Sequence, residues 1–193
     1  MENQKKIKQD RRVQKTRQVI RSAFIELLKE KRFADITVQD IADRAMISRS
    51  TFYDHYTDKY LLLEQLYQET VERFMQMATV YFAPRSHAEK RAMAGEVLDY
   101  VLGDAELIHV LLNLKEPGWD LTSWLQNSME PLCLQYLETE KEDRYHLGKE
   151  FVAGIYTYVM TYCMKWIAEH QNPEDFPGLL ALSTDISGFF FKH

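Results

Sequence analysis

Hydrophobic residues recur three or four positions apart along almost the whole chain, and this spacing is typical of amphipathic helices. No segment shows the alternation of polar and apolar residues that predicts a strand. A kink or break is expected where Pro131 falls inside a helical pattern. The predicted helices span residues 12–30, 37–45, 49–53, 57–83, 86–102, 104–114, 120–139, 145–170 and 174–190. We therefore expect an all-α fold of about nine helices.

Two of these predicted helices are short and follow each other closely. Thr37 and Ser48 are good N-caps, and Asp40, three residues after Thr37, completes a capping box. Only Ala45-Met46-Ile47 joins the two helices, which is typical of a helix-turn-helix. Helices of one or two turns are marginal alone, so the long first and fourth helices must hold the pair. Because a major groove of about 12 Å admits one helix, the pair predicts a DNA-reading element.

The charge of the chain supports a division into two domains. The 193 residues are 46% hydrophobic and 27% charged, which excludes a disordered or low-complexity protein. Residues 1–59 carry 14 Lys and Arg against 9 Asp and Glu, whereas residues 60–193 carry 10 against 20. We therefore expect a basic domain over 1–59 that meets an anionic partner, and an acidic domain over 60–193. Charge alone leaves open a merely solvated basic terminus.

Cysteine usage and hydropathy indicate where the protein works. Cys133 and Cys163 have a spacing that fits neither a disulfide scaffold nor a zinc ribbon. The longest uncharged run, Phe151–Met164, has 14 residues, fewer than the roughly 20 needed to cross a bilayer. Met1–Arg12 is charged and precedes no apolar stretch, so it does not have the pattern of a secretory signal. These features predict a cytoplasmic protein with no membrane partner.

Three motifs stand close together in the first 60 residues. They are Phe-Ala-Asp-Ile-Thr-Val-Gln-Asp-Ile-Ala at 33–42, Ser-Arg-Ser-Thr-Phe-Tyr-Asp-His-Tyr at 48–56, and Asp58-Lys59. Together they resemble the amino-terminal domain of the TetR family of transcriptional regulators, over residues 12–70. The resemblance implies a three-helix helix-turn-helix head on a helical-bundle body. It also implies a homodimeric repressor that binds a palindromic double-stranded DNA operator and is released by a small-molecule effector.

The same resemblance implies which residues contact DNA. In this scheme Arg49 and Ser50 read base edges, and Gln39 faces the groove. Lys59 would meet a phosphate at the start of the fourth helix, where the helix terminus already favours an anion. The other phosphate contacts implied are Thr37, Thr51, Tyr53 and His55. The complete set of candidate contacts is Thr37, Gln39, Ser48, Arg49, Ser50, Thr51, Tyr53, His55 and Lys59.

Several of these residues have simpler explanations. Tyr53 could pack on the first helix, and His55 could be a packing residue at a helix end. Arg49 could instead pair with Asp43 or Asp54. The family usually has Gly where this chain has Met46, so either a strained backbone or a different turn is expected there. The basic residues between 5 and 12 either follow the duplex or form a mobile tail.

Aromatic and methionine side chains are frequent between residues 75 and 136. They predict an apolar pocket for a small apolar or aromatic effector, although core packing is the alternative for each of them. The acidic excess of residues 60–193 would also suit a lipophilic cation. The candidate lining residues are Tyr81, Met93, Tyr100, Trp119 and Trp124.

Wide apolar faces also follow the last two predicted helices. They predict a homodimer interface in which these two helices form a four-helix bundle with their symmetry mates. A core contained within one chain is the alternative. The candidate interface residues are Phe151, Ile155, Tyr158, Tyr162, Trp166, Leu179, Leu182, Ile186 and Phe189.

Catalysis is not expected. Glu106 and His109 have the Glu-x-x-His spacing of di-iron helical bundles, but the sequence has no second such pair. Phosphate-binding loops, nucleophile elbows and zinc-protease motifs are also missing from the sequence. We therefore expect no catalytic residue, metal or cofactor. The remaining alternative is a helical regulator whose body binds a protein partner instead of a small ligand.

Overall fold

A computed structural model describes residues 2–82, 87–139 and 147–190; within these, the side chains at 2–10, 87, 88, 90, 91, 173, 183, 184 and 187–190 lie outside the described set. The described residues form nine α-helices and no strand, together with two short 3-10 helices, Phe33–Asp35 and Pro173–Asp175. The α-helices are α1 Glu2–Glu30, α2 Val38–Arg44, α3 Arg49–Tyr53, α4 Lys59–Tyr81, α5 His87–Gly103, α6 Ala105–Leu112, α7 Leu121–Thr139, α8 Lys149–His170 and α9 Phe176–Phe190. The predicted all-α fold is confirmed.

The structure departs most from the predicted helices at α1, α8 and α7. α1 begins at Glu2 instead of residue 12, because Lys, Gln and Glu favour helix even without an apolar stripe. α8 begins after Gly148, whose φ of 79° is a conformation that glycine adopts readily, so the helix is shorter than predicted. α7 is not broken at Pro131, although Pro131 lacks the N–H that would bond to the Asn127 carbonyl. Residues 83–86, between α4 and α5, lie outside the described residues.

The chain divides into two compact units. The first unit, called the head, comprises Met1–Tyr67 with Leu114–Glu116; the second, called the body, comprises Gln68–Asn113 and Pro117–His193. The division falls inside α4, which therefore contributes residues to both units. The sequence had placed the boundary at the beginning of that helix, between residues 59 and 60.

The core of the head is apolar and small. Ile20 and Phe24 of α1, Ile41 of α2, Phe52 of α3 and Leu62 of α4 are completely buried. α1 packs on α2, and α2 packs on α3. Burial of these side chains supplies the stability that the two short helices cannot supply themselves.

The core of the body is built around α8. This helix packs on α5, α6, α7 and α9. Leu121 and Leu125 of α7 and Ala153 of α8 are completely buried, and Gln126 of α7 donates a hydrogen bond to Thr161 of α8 at 3.1 Å. None of the described helices is both long enough and apolar enough to cross a membrane.

Candidate nucleic-acid interface and cavity

A capping box fixes the beginning of α2. The Thr37 hydroxyl accepts a hydrogen bond from the Asp40 backbone N–H at 3.1 Å, and the Thr37 backbone N–H donates to the Asp40 carboxylate at 2.7 Å. Lys31 also lies 2.9 Å from that carboxylate. The bonds from Lys31 and Thr37 lower the pKa of Asp40 to about 2. Thr37 therefore serves as the N-cap that the sequence predicted.

The end of α2 is tied to α1 by Arg44. Its guanidinium bonds to Glu26 at 3.1 Å and to Glu30 at 2.9 and 2.6 Å. These bonds raise the pKa of Arg44 and lower the pKa of Glu30. The two-point contact with Glu30 matches the planar fork of arginine. As a result, α2 is held against α1 at both of its ends.

The turn between α2 and α3 is a Schellman motif. Met46 has a φ of 53° and its side chain is 91% exposed. The Met46 N–H donates to the Asp43 carbonyl at 3.1 Å, and the Ile47 N–H donates to the Ala42 carbonyl at 2.9 Å. Met46 thus occupies the left-handed position in which glycine is usual. Of the two expectations for this residue, the structure shows the strained backbone and not a different turn.

A second N-cap and a buried phenylalanine fix α3. The Ser48 hydroxyl accepts from the Thr51 backbone N–H at 3.0 Å and also bonds to the Thr51 hydroxyl at 2.9 Å. Phe52 is completely buried, with its ring 5.7 Å from that of Tyr56. Both ends of this five-residue helix are therefore determined by its own sequence. The remaining side chains of α3 are left to face outward.

The outward face of α3 and α2 is polar and accessible. Gln39, Arg49, Ser50 and Tyr53 are exposed. Arg49 donates to the Tyr53 hydroxyl at 3.2 Å, and its guanidinium carbon lies 5.8 Å from the centre of the Tyr53 ring. Arg49 is therefore paired with Tyr53 and, among the described residues, not with Asp43 or Asp54. Its guanidinium keeps N–H groups for another partner, since arginine has five.

Other candidate contacts surround this face. Thr37 and Ser48 are exposed, whereas Thr51 and His55 are partly buried. Asp43, one of the alternatives for Arg49, instead accepts a hydrogen bond from the Gln39 amide at 2.7 Å. We define the groove-facing surface as Gln39, Arg49, Ser50 and Tyr53. It contains four of the six predicted contacts with exposed side chains; the other two, Thr37 and Ser48, are N-caps.

Lys59 is the residue for which the sequence prediction must be corrected. Its ammonium group donates to the backbone carbonyls of Phe33 at 2.8 Å, Ala34 at 3.1 Å and Ile36 at 2.7 Å. It also lies 4.5 Å from the centre of the Phe33 ring, and burial lowers its pKa. An ammonium has three donors, and all three are used here. Lys59 therefore fastens the segment between α1 and α2 and has no N–H left for a phosphate.

The body contains an apolar cavity of about 790 Å³, a volume that includes its open mouth. Side chains from α4, α5, α7, α8 and α9 line it. They are Phe74, Met77, Ala78, Tyr81, Phe82, Ala94, Val97, Leu98, Met129, Tyr156, Met160, Cys163, Met164, Ile167, Leu179 and Leu180.

Only one of the five predicted pocket residues, Tyr81, lines this cavity. Tyr100 instead packs against Phe74, with ring centres 5.2 Å apart, and Trp124 is half exposed. Met93 is buried and Trp119 partly buried, both outside the lining. The prediction for these four residues was wrong, because aromatic frequency says nothing about which face of a helix turns inward. The useful signal was the spacing of Tyr156, Met160, Cys163 and Met164 along α8.

The opposite face of α8 exposes large apolar side chains. Phe151, Ile155, Tyr158 and Tyr162 recur at helical spacing, and Tyr158 is 61% exposed. We call these four residues the α8 stripe. On the same helix Trp166 is partly buried, with its ring stacked 4.3 Å from that of His170.

The predicted interface residues of α9 are less uniform. Leu182 is exposed, and Ile186 is partly buried. Leu179 is partly buried and lines the cavity. The side chain of Phe189 lies outside the described residues.

Taken together, the two capped short helices define a helix-turn-helix protein. Residues 20–66 match the family model for bacterial regulatory proteins of the tetR family. The amino-terminal domain of the chain therefore matches the TetR family of helix-turn-helix transcriptional regulators. It is 35% identical over 112 residues to the HTH-type transcriptional regulator YxbF of Bacillus subtilis (strain 168); the match covers 57% of this chain and 30% of that relative.

Solved structures support the same fold over the full length. A TetR transcriptional regulator from Streptococcus agalactiae 2603V is 25% identical, with a TM-score of 0.58 over 92% of this chain and 98% of that one. The fatty acid degradation regulator FadR from Bacillus halodurans is 17% identical, with a TM-score of 0.63 over 91% and 94% of the two chains. At 17% identity, the likeness to FadR concerns the fold alone. The expected head and helical body are thus typical of known regulators.

Proposed function

We propose that this regulator binds a palindromic operator as a homodimer, and that it is a repressor released by a small molecule bound in the body cavity. Such a protein works where the DNA is, in the cytoplasm. The single observation that carries the DNA-binding part is the groove-facing surface. It is exposed on helices that two N-caps and the Arg44 contacts hold in place.

Chemistry assigns different tasks to the residues of this surface. Arg49 can hold a guanine through two parallel hydrogen bonds, and the hydroxyl of Ser50 can reach either a base or a phosphate. Tyr53 positions the Arg49 guanidinium through the bond between them. Thr37, Ser48, Thr51 and His55 lie beside this surface as contacts to the phosphate backbone, which set orientation without reading sequence.

The α8 stripe supports dimerisation. Four large apolar side chains at helical spacing are costly to leave in water, and symmetric interfaces bury faces of this kind. A dimer would place two copies of α3 for successive major grooves. Light scattering at micromolar concentration is expected to give twice the 22.9 kDa chain mass. A stable monomer would instead favour a different protein partner on this face.

The proposed release depends on α4. Leu62, Leu63 and Leu66 of this helix are buried in the head, whereas Phe74 and Met77 line the cavity of the body. A ligand that shifts the second group therefore acts on the same helix that carries the first. Effector and operator should weaken each other by the same factor, because coupling between two binding sites is reciprocal. Equal operator affinity with and without a bound ligand would contradict this mechanism.

Selection of bound fragments from random duplex DNA tests the proposed function most broadly. The expected result is an enriched inverted repeat whose half-sites are about one helical turn apart. A matched selection with Arg49→Ala is expected to lose the preference at one position of each half-site. Failure of the native chain to enrich any duplex would contradict the proposal.

A further inference from the structure

The lining of the body cavity has an unusual chemical composition. Four methionines, one cysteine and four aromatic rings contribute to it, and the rest is aliphatic. Among the described residues that line it, none is charged. The side-chain groups able to donate a hydrogen bond there are the hydroxyls of Tyr81 and Tyr156 and the thiol of Cys163.

The Cys163 thiol lies in strongly apolar surroundings. Burial raises the pKa of Cys163 above its ordinary value, so the group remains a thiol. The described residues that line the cavity therefore provide no counter-ion for a charged ligand.

A charged ligand would be disfavoured in such a site. Moving an ion from water into an apolar cavity costs several kcal/mol unless an opposite charge pairs with it. The acidic excess of residues 60–193 suggested a lipophilic cation, but no described acidic residue lines the cavity. Methionine side chains are flexible and polarisable, so the lining can adapt to different apolar shapes.

We propose that the effector is an uncharged lipophile, and that the cavity discriminates against both cationic and anionic ligands of the same shape. Only the claim that the bound ligand regulates DNA binding rests on the proposed function. The charge preference of the cavity is a property of the body and is measurable without DNA.

Two fluorescent probes that share one skeleton test this preference. N-phenyl-1-naphthylamine is uncharged, and 8-anilinonaphthalene-1-sulfonate adds one sulfonate to the same rings. We expect saturable binding of the uncharged probe at one per chain, and binding of the sulfonate weaker by about tenfold or more. Equal or tighter binding of the sulfonate, or no binding of the uncharged probe, would overturn the proposal.

Cysteine alkylation locates the bound probe. Cys163 lines the cavity and is partly accessible, whereas Cys133 is completely buried. Saturating uncharged probe should slow the reaction of Cys163 with N-ethylmaleimide, and Cys163→Ser should remove the fast-reacting thiol. Unchanged alkylation despite full probe binding would place the probe elsewhere and contradict the assignment.

A charge introduced into the lining provides the sharpest control. Met160 is partly exposed, so Met160→Lys can extend its ammonium toward water while placing a cation at the cavity. We expect this variant to reverse the preference, so that the sulfonate binds more tightly than the uncharged probe. Met75→Lys is the matched control, because Met75 is also partly exposed but does not line the cavity. It should keep the native preference.

Folding and DNA binding are followed separately in these experiments. If Met160→Lys loses its helical circular dichroism, the two-probe comparison on the native chain still decides the proposal. A native chain that prefers the uncharged probe but binds no duplex would contradict the proposed function and leave the charge preference intact. A chain that binds duplex but prefers the sulfonate would contradict the charge preference and leave the proposed DNA binding intact.

Discussion

The head and the body both have apolar cores but differ in how their helices are fixed. In the head, short helices begin and end at polar groups: the capping box of Thr37 and Asp40, the Ser48 cap, and the Lys59 ammonium on three carbonyls. In the body, long helices meet through apolar faces, with Leu121, Leu125 and Ala153 completely buried. The head thus adds polar contacts to its apolar core, because helices of one or two turns are marginal by themselves.

The largest expected effect is in the body. Leu125→Ala removes a completely buried side chain and should lower the free energy of unfolding by about 2–5 kcal/mol. Leu147→Ala is the matched control, because Leu147 is 58% exposed, and should change it by less than about 0.5 kcal/mol. Urea unfolding followed by circular dichroism measures both. Similar losses in the two variants would contradict the apolar account of the body.

The next effect separates the two roles considered for Lys59. Lys59→Met keeps most of the side chain but removes three hydrogen bonds to carbonyls, so we expect a loss of about 1–3 kcal/mol in unfolding free energy. Operator affinity should keep its salt dependence, because no phosphate contact is lost. The slope of log affinity against log salt could instead fall by about 0.9 while stability stays unchanged. That result would show that Lys59 contacts a phosphate.

Arg49 and Tyr53 test the reading surface itself. Arg49→Ala should reduce discrimination between operator and altered duplex by about 1–3 kcal/mol. Tyr53→Phe removes only the hydroxyl that accepts from Arg49 and should cost about 0.5–1.5 kcal/mol. Fluorescence anisotropy with paired duplexes gives both values. If both variants weaken all duplexes alike, Arg49 does not read bases.

The smallest effect concerns the turn. Met46→Gly relieves a positive φ that costs an ordinary residue about 1–2 kcal/mol. Glycine also loses more backbone entropy on folding, which costs about 0.5–1 kcal/mol. The net expectation is a gain of up to about 1 kcal/mol in unfolding free energy. Met46→Ala, which keeps the strain, should show no gain. Destabilisation by the glycine would mean that the methionine side chain itself supports the head.

The sequence predicted the head better than the body for a physical reason. Caps such as Thr37 and Ser48 act on residues three positions away, so their partners are visible in the sequence. The partners of Lys59 lie more than 20 residues earlier in the chain, and no residue near Lys59 in the sequence indicates them. Likewise, Tyr100 and Trp124 could not be excluded from the cavity without knowing which face of each helix turns inward. Tyr81 was predicted from the same frequency of aromatic residues, and of the five predicted residues it is the one that lines the cavity.

Methylation interference on the selected operator tests the central claim most directly. Methyl groups on guanine N7 lie in the major groove, where Arg49 is proposed to bind. The expected result is that methylation of symmetric guanines blocks the native chain, and that Arg49→Ala is indifferent to the same guanines. Interference confined to the minor-groove N3 of adenine, or identical patterns for the two chains, would contradict the assignment of α3 as the reading helix.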